Sequence, residues 1–246
     1  MLTIVTWRWP PTPGYRSEYP AKTVNVLKAM VDRWYPHPHR VLCVTDDPAG
    51  IDAGVEIVKP WDDFAHLPSP HGKKNPSCYR RLRMFHPDIG EVFGDRFVSL
   101  DLDVVLTGDV SSLWNRPEDF VAYGDTNPQP GSHYNGSMML LRAGSRSQVW
   151  DRFNPSRSPD EALQAGCWGS DQGWISYCLG PGEARWNKSD GVYSLRIDFE
   201  LARKRALPEG AKLVVCHGKW DPWSAYAQDT YPWIRQHWAL EASCAA

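Results

Sequence analysis

The stretch RFVSLDLDVVLTGD, residues 96–109, decides the fold class of this chain. Its apolar, strand-like beginning FVSL is followed by two carboxylates, Asp101 and Asp103, and then by the apolar run VVL. The two aspartates stand where the local pattern calls for hydrophobic side chains. Burying an unpaired carboxylate is costly, so such residues need a cation, a dense hydrogen-bond shell or a catalytic task. The stretch therefore predicts a buried strand that ends in a metal site or a catalytic site.

Length and composition are those of a globular protein that can bury a large core. The chain has 246 residues, of which 42% are hydrophobic and 23% charged, with a net charge of −2. We therefore expect one domain over residues 1–246. The sequence has neither a basic stripe nor a polybasic run, which argues against nucleic acid and anionic membranes as partners.

Cysteine spacing, the N-terminal residues and the lengths of the apolar runs bear on the cellular compartment. No two of the six cysteines have CxxC spacing, which disfavours a zinc ribbon or a redox pair. We interpret them as reduced thiols, as in cytoplasmic proteins. The N-terminal residues lack the basic region of a signal peptide, and no apolar run approaches the ~20 residues of a membrane span. The prediction is a cytoplasmic protein with no transmembrane segment.

Strand-like and helix-like segments alternate in the first half of the chain. Strands are predicted at residues 2–7, 40–45, 55–58 and 96–100, helices at 23–34 and 77–85, and loops at 10–20 and 64–76. In the second half, strands are predicted at 120–123, 137–141 and 212–216, and helices at 145–153 and 170–179. Such alternation is typical of α/β proteins whose sheet is mainly parallel and flanked by helices.

The chemistry of the aspartate pair points to a divalent cation. Residues i and i+2 of a strand face the same side, so Asp101 and Asp103 repel each other unless a cation lies between them. In open α/β sheets, ligands bind outside the carboxyl ends of the strands. Hard oxygen ligands suit Mg²⁺ or Mn²⁺, ions that commonly also bind substrate phosphates. Two merely solvated aspartates are disfavoured, because apolar residues flank the pair.

His217 follows a second apolar run, residues 213–216, and so stands at another strand end. Imidazole suits Mn²⁺ better than Mg²⁺. A metal-bound His217 and Lys219, two residues later, could bind a diphosphate from both sides. A histidine after a strand is more often a structural, hydrogen-bonded residue, and only the aspartate pair favours the ligand interpretation.

Four further segments admit both a structural and a functional interpretation. Asp171 and Gln172 open a predicted helix, where the preceding serine would be the N-cap and the aspartate would complement the helix dipole. Asn135 lies in YNGS, and Asn-Gly is a common turn pair. Arg81 lies in YRRL, which is more often a solvated basic face, although arginine suits phosphate recognition. Asp46, after the second strand, fits a turn.

Taken together, these segments resemble the GT-A fold nucleotide-diphospho-sugar glycosyltransferases. Four of them match in order: FVSLDLDVVLTGDVSSLW, YNGSMMLLRAG, SDQGWISYCL and HGKWDPW. Family 8 is the most similar group, the retaining enzymes that include glycogenin and the bacterial lipopolysaccharide galactosyltransferases. The resemblance spans roughly residues 2–223. Two positions depart from the family pattern, since Asp221 stands where lysine is usual and Gly136 where alanine is frequent.

The resemblance implies a single GT-A domain, with a nucleotide-binding part at about 1–106 and an acceptor-facing part at about 107–246. It also implies roles for individual residues: Asp101, Asp103 and His217 as ligands of Mn²⁺ (or Mg²⁺); Asp46 and the backbone of Thr6 and Trp7 near the base; Arg81 facing the donor; Asn135, Asp171 and Gln172 around the sugar, with Asp171 and Gln172 catalytic; and Lys219 on the diphosphate.

The implied activity is that of a hexosyltransferase-like enzyme. It would transfer a sugar, with retention, from a nucleotide-sugar donor, expected to be a UDP-sugar, to an acceptor that the sequence does not identify: a glycan, a lipid-linked sugar or a protein. A divalent ion would stabilise the charge that develops on the departing phosphate. Whether Asp171 attacks covalently or the acceptor enters on the same face stays open.

Two other classes of protein stay open. The sequence DLDVV also fits the nucleophile motif of haloacid dehalogenase-type phosphatases, with Asp101 as the nucleophile. That motif normally ends the first strand of its domain, whereas three predicted strands precede it here. A catalytically silent nucleotide-sugar-binding protein is the second alternative.

Overall fold

The computed structural model describes residues 1–10, 13, 15, 17–72, 74–124, 131–217 and 219–241. The strands are β1 (Leu2–Trp7), β2 (His39–Val44), β3 (Val55–Val58), β4 (Arg96–Leu100), β5 (Val104–Leu106), β6 (Phe120–Gly124), β7 (Tyr134–Arg142), β8 (Ala184–Trp186), β9 (Val192–Ser194) and β10 (Leu213–Val215). The α-helices are α1 (Ala21–Trp34), α2 (Gly90–Phe93), α3 (Ser111–Trp114), α4 (Gln148–Asp151), α5 (Ser158–Gln164), α6 (Asp171–Leu179), α7 (Ala225–Thr230) and α8 (Pro232–His237). Short 3₁₀ helices lie at Tyr79–Phe85, Gly180–Gly182 and Lys188–Asp190, and a π-helix lies at Leu195–Leu201.

The strands form two sheets. The larger has the order β3-β2-β1-β4-β7-β6-β8, and the smaller has the order β5-β10-β9. Strands β1 to β4 are parallel, whereas β7 runs antiparallel to both β4 and β6. The predicted α/β class with a mainly parallel sheet is confirmed.

Alternate side chains of the central strands enter two separate cores. Ile4 of β1 and Val98 of β4 pack on one face of the sheet with α1, α8 and the smaller sheet. Val5 and Phe97 point to the other face, where the first 3₁₀ helix, α4 and α6 pack. Because both faces are covered, all six residues of β1 are buried, as expected for a parallel strand between two layers.

Strand order places a crevice at the carboxyl ends of β1 and β4. The chain leaves β1 towards β2 on one side and returns to β4 on the other, which is the switch point where open α/β sheets bind ligands. Trp7 ends β1, and Asp101 follows β4 directly. The backbone N–H of Cys216 donates to the carbonyl of Asp103 at 2.9 Å, so the end of β10 is brought to the same edge.

The bounds of β1, β3 and β4 are as predicted, but several other predictions are wrong. Residues 77–85 contain a 3₁₀ helix, with Arg81 N donating to the Cys78 carbonyl at 2.9 Å. Residues 145–153 are helical only in α4, because Arg146 has a φ of 60° and pairs with Glu183. Residues 134–136, interpreted as a turn, belong to β7.

Two observations bear on the compartment. Within the described ranges, no helix combines the length and apolar composition needed to cross a bilayer. The described cysteines are all free thiols: Cys43, Cys78, Cys167, Cys178 and Cys216. Cys244 lies outside the described residues.

Candidate functional site

A cavity of about 590 Å³ opens at the carboxyl edge of the larger sheet. Seven of the eleven predicted site residues line it: Arg81, Asp101, Asp103, Asn135, Asp171, Gln172 and His217. They come from the first 3₁₀ helix, the turn after β4, β7, α6 and the segment after β10. The fold thus brings together side chains that are up to 136 positions apart, from Arg81 to His217.

Arg81 is the charged centre of this cavity. It is only 5% exposed, and its guanidinium Nε donates to Asp171 Oδ2 at 2.7 Å while Nη1 bonds Asp101 Oδ1. Nη1 also donates to the Gly136 carbonyl at 3.2 Å. One cation therefore balances two carboxylates, the buried Asp171 and the half-buried Asp101. The interpretation of Arg81 as part of a solvated basic face is wrong.

These contacts shift the pKa values of Asp101 and Arg81. Burial raises the pKa of the Asp101 carboxyl, and the Arg81 guanidinium opposes that rise. The same two carboxylates hold the pKa of Arg81 well above its usual value despite its burial. Arg81 therefore stays charged, and the carboxylates beside it are stabilised by a neighbouring positive charge.

Gly136 makes room for Arg81. A Cβ built on Gly136 would collide with the Arg81 guanidinium, and the Gly136 N–H donates to Gln172 Oε1 at 3.0 Å. Glycine thus stands at this position of β7 because the arginine occupies the volume that a methyl group would need. The Gln172 side chain is held over the same peptide.

The start of α6 is held from outside the helix. Ser170 occupies the N-cap position, but its side chain makes no capping bond and instead accepts the Cys78 N–H at 2.9 Å. Ser170 therefore holds the predicted N-cap position, but its hydroxyl does not cap α6. Asp171 is 2% exposed and turns towards Arg81, so the first residue of α6 belongs to the cavity rather than to a solvated helix end.

His217 lies against the π-helix. Its Nε2 forms a hydrogen bond of 2.7 Å with Ser194 Oγ. Burial, and after it the positive charge of Arg196, lower the pKa of His217 to about 4, so the imidazole is neutral at neutral pH. In the tautomer in which Nε2 donates to Ser194, Nδ1 carries the lone pair that a cation requires.

The chemistry of the three predicted ligands fits Mn²⁺. Asp101, Asp103 and His217 offer two carboxylates and a neutral imidazole to one cavity, and oxygen with imidazole ligands suits this ion. Within the described residues, no three His, Cys, Asp or Glu side chains are already gathered closely enough to hold a metal. Asp101 is engaged by Arg81 instead.

A second, smaller cavity of about 180 Å³ adjoins the first. The two share Arg81, Asp101 and Asp103 in their lining, and the smaller one is walled by aromatic rings: Trp7, Trp9, Tyr15 and Tyr19. Trp7 is fixed by its Nε1–H, which donates to Ser99 Oγ at 3.0 Å. This arrangement offers flat apolar faces next to a charged cavity.

Two residues predicted near the base lie outside both cavities. Thr6 is fully buried within β1, and its hydroxyl has no hydrogen-bond partner among the described residues. Asp46 is exposed and lines a separate groove beside Arg8 and Glu18. A contact between Thr6 and a ligand is therefore open only to its backbone.

Lys219 does not line the cavity in the described structure. Its ammonium Nζ pairs with Glu200 Oε1 at 2.7 Å, and its side chain is 61% exposed. Asp221 is buried and accepts a hydrogen bond of 2.9 Å from Ser17 Oγ. Asp221 thus ties the C-terminal part to the segment before α1.

Several lining residues were missed by sequence reasoning. Arg196 belongs to the π-helix, whose alternating sequence LRIDFEL resembles a strand and carries no site motif. Trp168 is 47% exposed and stacks on His71, with ring centroids 3.9 Å apart. Its position three residues before Asp171 was the one available signal. Burial raises the pKa of the lining thiol Cys78 to about 12, so it stays protonated.

No family model and no curated protein matches the sequence. The fold, however, is similar to those of solved glycosyltransferases. The galactosyltransferase LgtC, in complex with donor and acceptor sugar analogs, is 17% identical, with 96% of this chain and 96% of LgtC covered and a TM-score of 0.58. An active-site variant of LgtC, with glutamine replaced by glutamate, matches with the same identity and TM-score over 95% of both chains.

A second glycosyltransferase, GlyE of Streptococcus pneumoniae TIGR4, is 12% identical, with 96% of this chain and 60% of GlyE covered and a TM-score of 0.58. Likenesses of 12% and 17% identity establish the fold alone. The chain has the GT-A fold that its four sequence segments predicted.

Proposed function

We propose that this protein is a metal-dependent glycosyltransferase that uses a nucleotide-sugar donor, expected to be a UDP-sugar. The observation that carries the proposal is the single cavity, at the carboxyl edge of a GT-A sheet, in which seven predicted site residues meet. LgtC, whose fold is similar, binds donor and acceptor sugar analogs. In this proposal about 1–106 of the single domain bind the nucleotide, and about 107–246 face the acceptor.

The reaction exchanges one glycosidic bond for another. The bond between the anomeric carbon and the donor's phosphate oxygen breaks, and its electron pair stays on that oxygen. The acceptor hydroxyl oxygen forms the new bond to the anomeric carbon, and its proton passes to solvent. Negative charge therefore develops on the departing diphosphate, where nearby cations lower the barrier.

Asp101, Asp103 and His217 would hold Mn²⁺ (or Mg²⁺). When bound, this ion supplies Lewis-acid stabilisation of the departing diphosphate. The neutral imidazole of His217 and the two carboxylates supply the donor atoms that the ion prefers.

Asp171 and Gln172 would act at the donor sugar. Asp171 presents a buried carboxylate that pairs with Arg81, and it would lie beside the positively charged anomeric centre. Gln172 is held by the Gly136 N–H. LgtC has an active-site glutamine, and Gln172 is the glutamine of the described cavity lining. Asn135 lines the same cavity and would line the sugar pocket. Retention of configuration is the expected outcome of the reaction.

The aromatic cavity would take the nucleobase. Trp7 and Tyr19 offer ring faces for stacking, next to the charged cavity that would take the diphosphate. Asp46, in the neighbouring groove, would meet the outer edge of the nucleotide.

A glycan is the acceptor class that the cavity rim supports. Trp168 is an exposed ring that lines the cavity and is backed by His71, whose Nε2 accepts the Gly169 N–H at 2.9 Å. A rigid aromatic face suits the apolar face of a sugar ring. Replacement of Trp168 by alanine should lower transfer to a saccharide acceptor and leave hydrolysis of the donor intact, whereas Tyr177→Ala, an exposed aromatic of α6 outside the cavity, should change neither.

The free thiols of the described cysteines agree with a reducing compartment such as the cytoplasm. Donors for this reaction would then be drawn from the cytoplasmic pool of nucleotide sugars.

The test is release of nucleoside diphosphate from a panel of UDP-sugars in Mn²⁺, with and without EDTA. We expect release from at least one donor in Mn²⁺ and its loss in EDTA. Neither release nor binding with any nucleotide sugar would overturn the proposal. Binding without release, across many acceptors, would instead identify the silent binding protein.

The phosphatase alternative makes a different prediction. It requires Asp101 as an accessible nucleophile, whereas the described carboxylate is bonded to Arg81 and follows the fourth strand of a GT-A sheet. Turnover of p-nitrophenyl phosphate without nucleotide would support it, and we expect none.

A further inference from the structure

The charges of the cavity leave an anionic ligand short of positive partners. Three carboxylates line it, those of Asp101, Asp103 and Asp171, against two guanidinium groups, those of Arg81 and Arg196. Arg81 is already bonded to two of the carboxylates. Apart from the proposed Mn²⁺, a diphosphate that enters this cavity therefore needs a side-chain cation that no carboxylate has already neutralised.

Arg196 is such a cation. No carboxylate pairs with it in the described part of the chain, and its guanidinium has no hydrogen-bond partner there. Its side chain is exposed and lines the same cavity as Asp101, Asp103 and His217. Ser194, two residues before it, bonds His217 Nε2 at 2.7 Å, so Arg196 stands beside the predicted metal ligands.

The backbone under Arg196 is firmly held while its side chain is not. Ser194 Oγ accepts the Ile197 N–H at 3.1 Å, and Asp198 Oδ2 accepts the Ser194 N–H at 2.8 Å. Lys188 in turn pairs with Asp198. Arg196 sits between these anchors in a π-helix, an element that is frequent at functional sites. A fixed backbone that carries an unpaired guanidinium suits a ligand that arrives from solvent.

Lys219, the cation that the sequence pattern favours for the diphosphate, is engaged elsewhere. It pairs with Glu200 at 2.7 Å and lies over the Trp220 ring, 4.6 Å from its centroid. Freeing it would break both contacts.

We propose that Arg196, rather than Lys219, binds the diphosphate of the donor and stabilises it as it departs. This inference rests on the proposed function and adds a residue to it. A guanidinium pairs with two phosphate oxygens at once, and UDP offers a second phosphate that UMP lacks. As the sugar–oxygen bond breaks and the electron pair stays on the phosphate oxygen, Arg196 gains attraction, so its loss should affect turnover more than donor binding.

The test compares UDP with UMP by calorimetry in Mn²⁺, for the wild type, Arg196→Ala, Arg196→Lys, Lys219→Ala and the control Lys204→Ala. Lys204 is an exposed cation that follows the π-helix and does not line the cavity. We expect Arg196→Ala to weaken UDP binding by about tenfold to a hundredfold, the range of a charged hydrogen-bonded contact. UMP affinity should change far less, and Arg196→Lys should restore part of the loss.

Three outcomes would overturn the inference, and a fourth would overturn the proposed function on which it rests. A loss of UDP affinity in Lys219→Ala, with none in Arg196→Ala, would assign the diphosphate to lysine. Equal losses for UDP and UMP in Arg196→Ala indicate damage to the cavity as a whole, which thermal melting of the variant would confirm. A wild type that binds neither nucleotide overturns the proposed function itself, and a wild type that hydrolyses donors while Arg196→Ala keeps full kcat overturns this inference alone.

Discussion

At the scale of the residue, the buried charge network should dominate stability. Removing one partner of a buried ion pair leaves its mate unbalanced, which costs about 3–5 kcal/mol. Arg81→Met should therefore lower the free energy of unfolding by about this amount, since Asp101 and Asp171 both lose their cation. Arg142→Met is the matched control, because its pairs with Asp95 and Asp119 are exposed and are worth roughly 0–1 kcal/mol each. Urea unfolding measures both, and equal losses would contradict the network.

Gly136 makes a second prediction. Gly136→Ala places a methyl group against the Arg81 guanidinium, so the arginine must shift or the strand must yield. Overpacking of this kind costs about 1–3 kcal/mol, and the shift should also weaken nucleotide binding. Gly182→Ala is the control, because nothing lies within 4 Å of its added Cβ. If the two alanine variants unfold at the same denaturant concentration, the close approach of Arg81 to Gly136 is not maintained in solution.

Sequence reasoning located acidic residues of the site better than it located cations. Asp101 and Asp103 interrupt an apolar run, and burial of a carboxylate is costly enough to signal a task on its own. Arginine and lysine carry no such signal, because both are ordinary at surfaces. Lys219 was therefore favoured by motif position and Arg196 was passed over, although the fold turns the first to Glu200 and the second into the cavity.

At the scale of the element, the segment before α1 should be coupled to the C-terminal part. Ser17 Oγ donates to Asp221 Oδ1 at 2.9 Å, and both residues are buried. A hydrogen bond to a charged group contributes about 1.5–3 kcal/mol, so Ser17→Ala and Asp221→Ala should each destabilise the protein. In a double-mutant cycle their losses should not add, since each removes the same contact. Additive losses within error would show that the contact contributes nothing.

Elements with strong local signals were predicted to the residue, and those defined by partners were not. β1, β3 and β4 are short runs dominated by hydrophobic and β-branched residues, and their bounds match the predicted ones. β8 and β9 are three residues each, and each is a strand only through its pairing, β8 with β6 and β9 with the equally short β10. The 3₁₀ helix at Tyr79–Phe85 departs from the predicted α-helix, and it carries Arg81 into the cavity, a long-range requirement that local propensity does not contain.

At the scale of the whole molecule, the smaller sheet explains how a distant histidine reaches the aspartates. β10 pairs with β5, the strand that directly follows Asp103, with Val215 opposite Val104. The antiparallel register therefore places the residues after β10 beside the residues before β5. The position of His217 thus follows from the pairing of two strands, and the sequence predicted β10 but not its partner.

The same geometry predicts that ligands stabilise the fold jointly. Under the proposed function the ion bridges protein and diphosphate, so Mn²⁺ alone and UDP alone should each raise Tm little. Together, at about 100 times the dissociation constant, they should stabilise the protein by ~2.7 kcal/mol. For a chain of this length that is a rise of roughly 5–10 °C in Tm.

His217→Ala should remove most of this joint rise while Tm without ligands changes little, because a metal ligand joins the substrate to the protein rather than the core to itself. His66→Ala, an exposed histidine outside the cavity, should keep the full rise. The opposite pattern, a lower Tm without ligands and an unchanged joint rise, would make His217 a structural partner of Ser194 only. Since EDTA should abolish the joint rise in the wild type, a rise that survives EDTA would show that UDP binds without a metal.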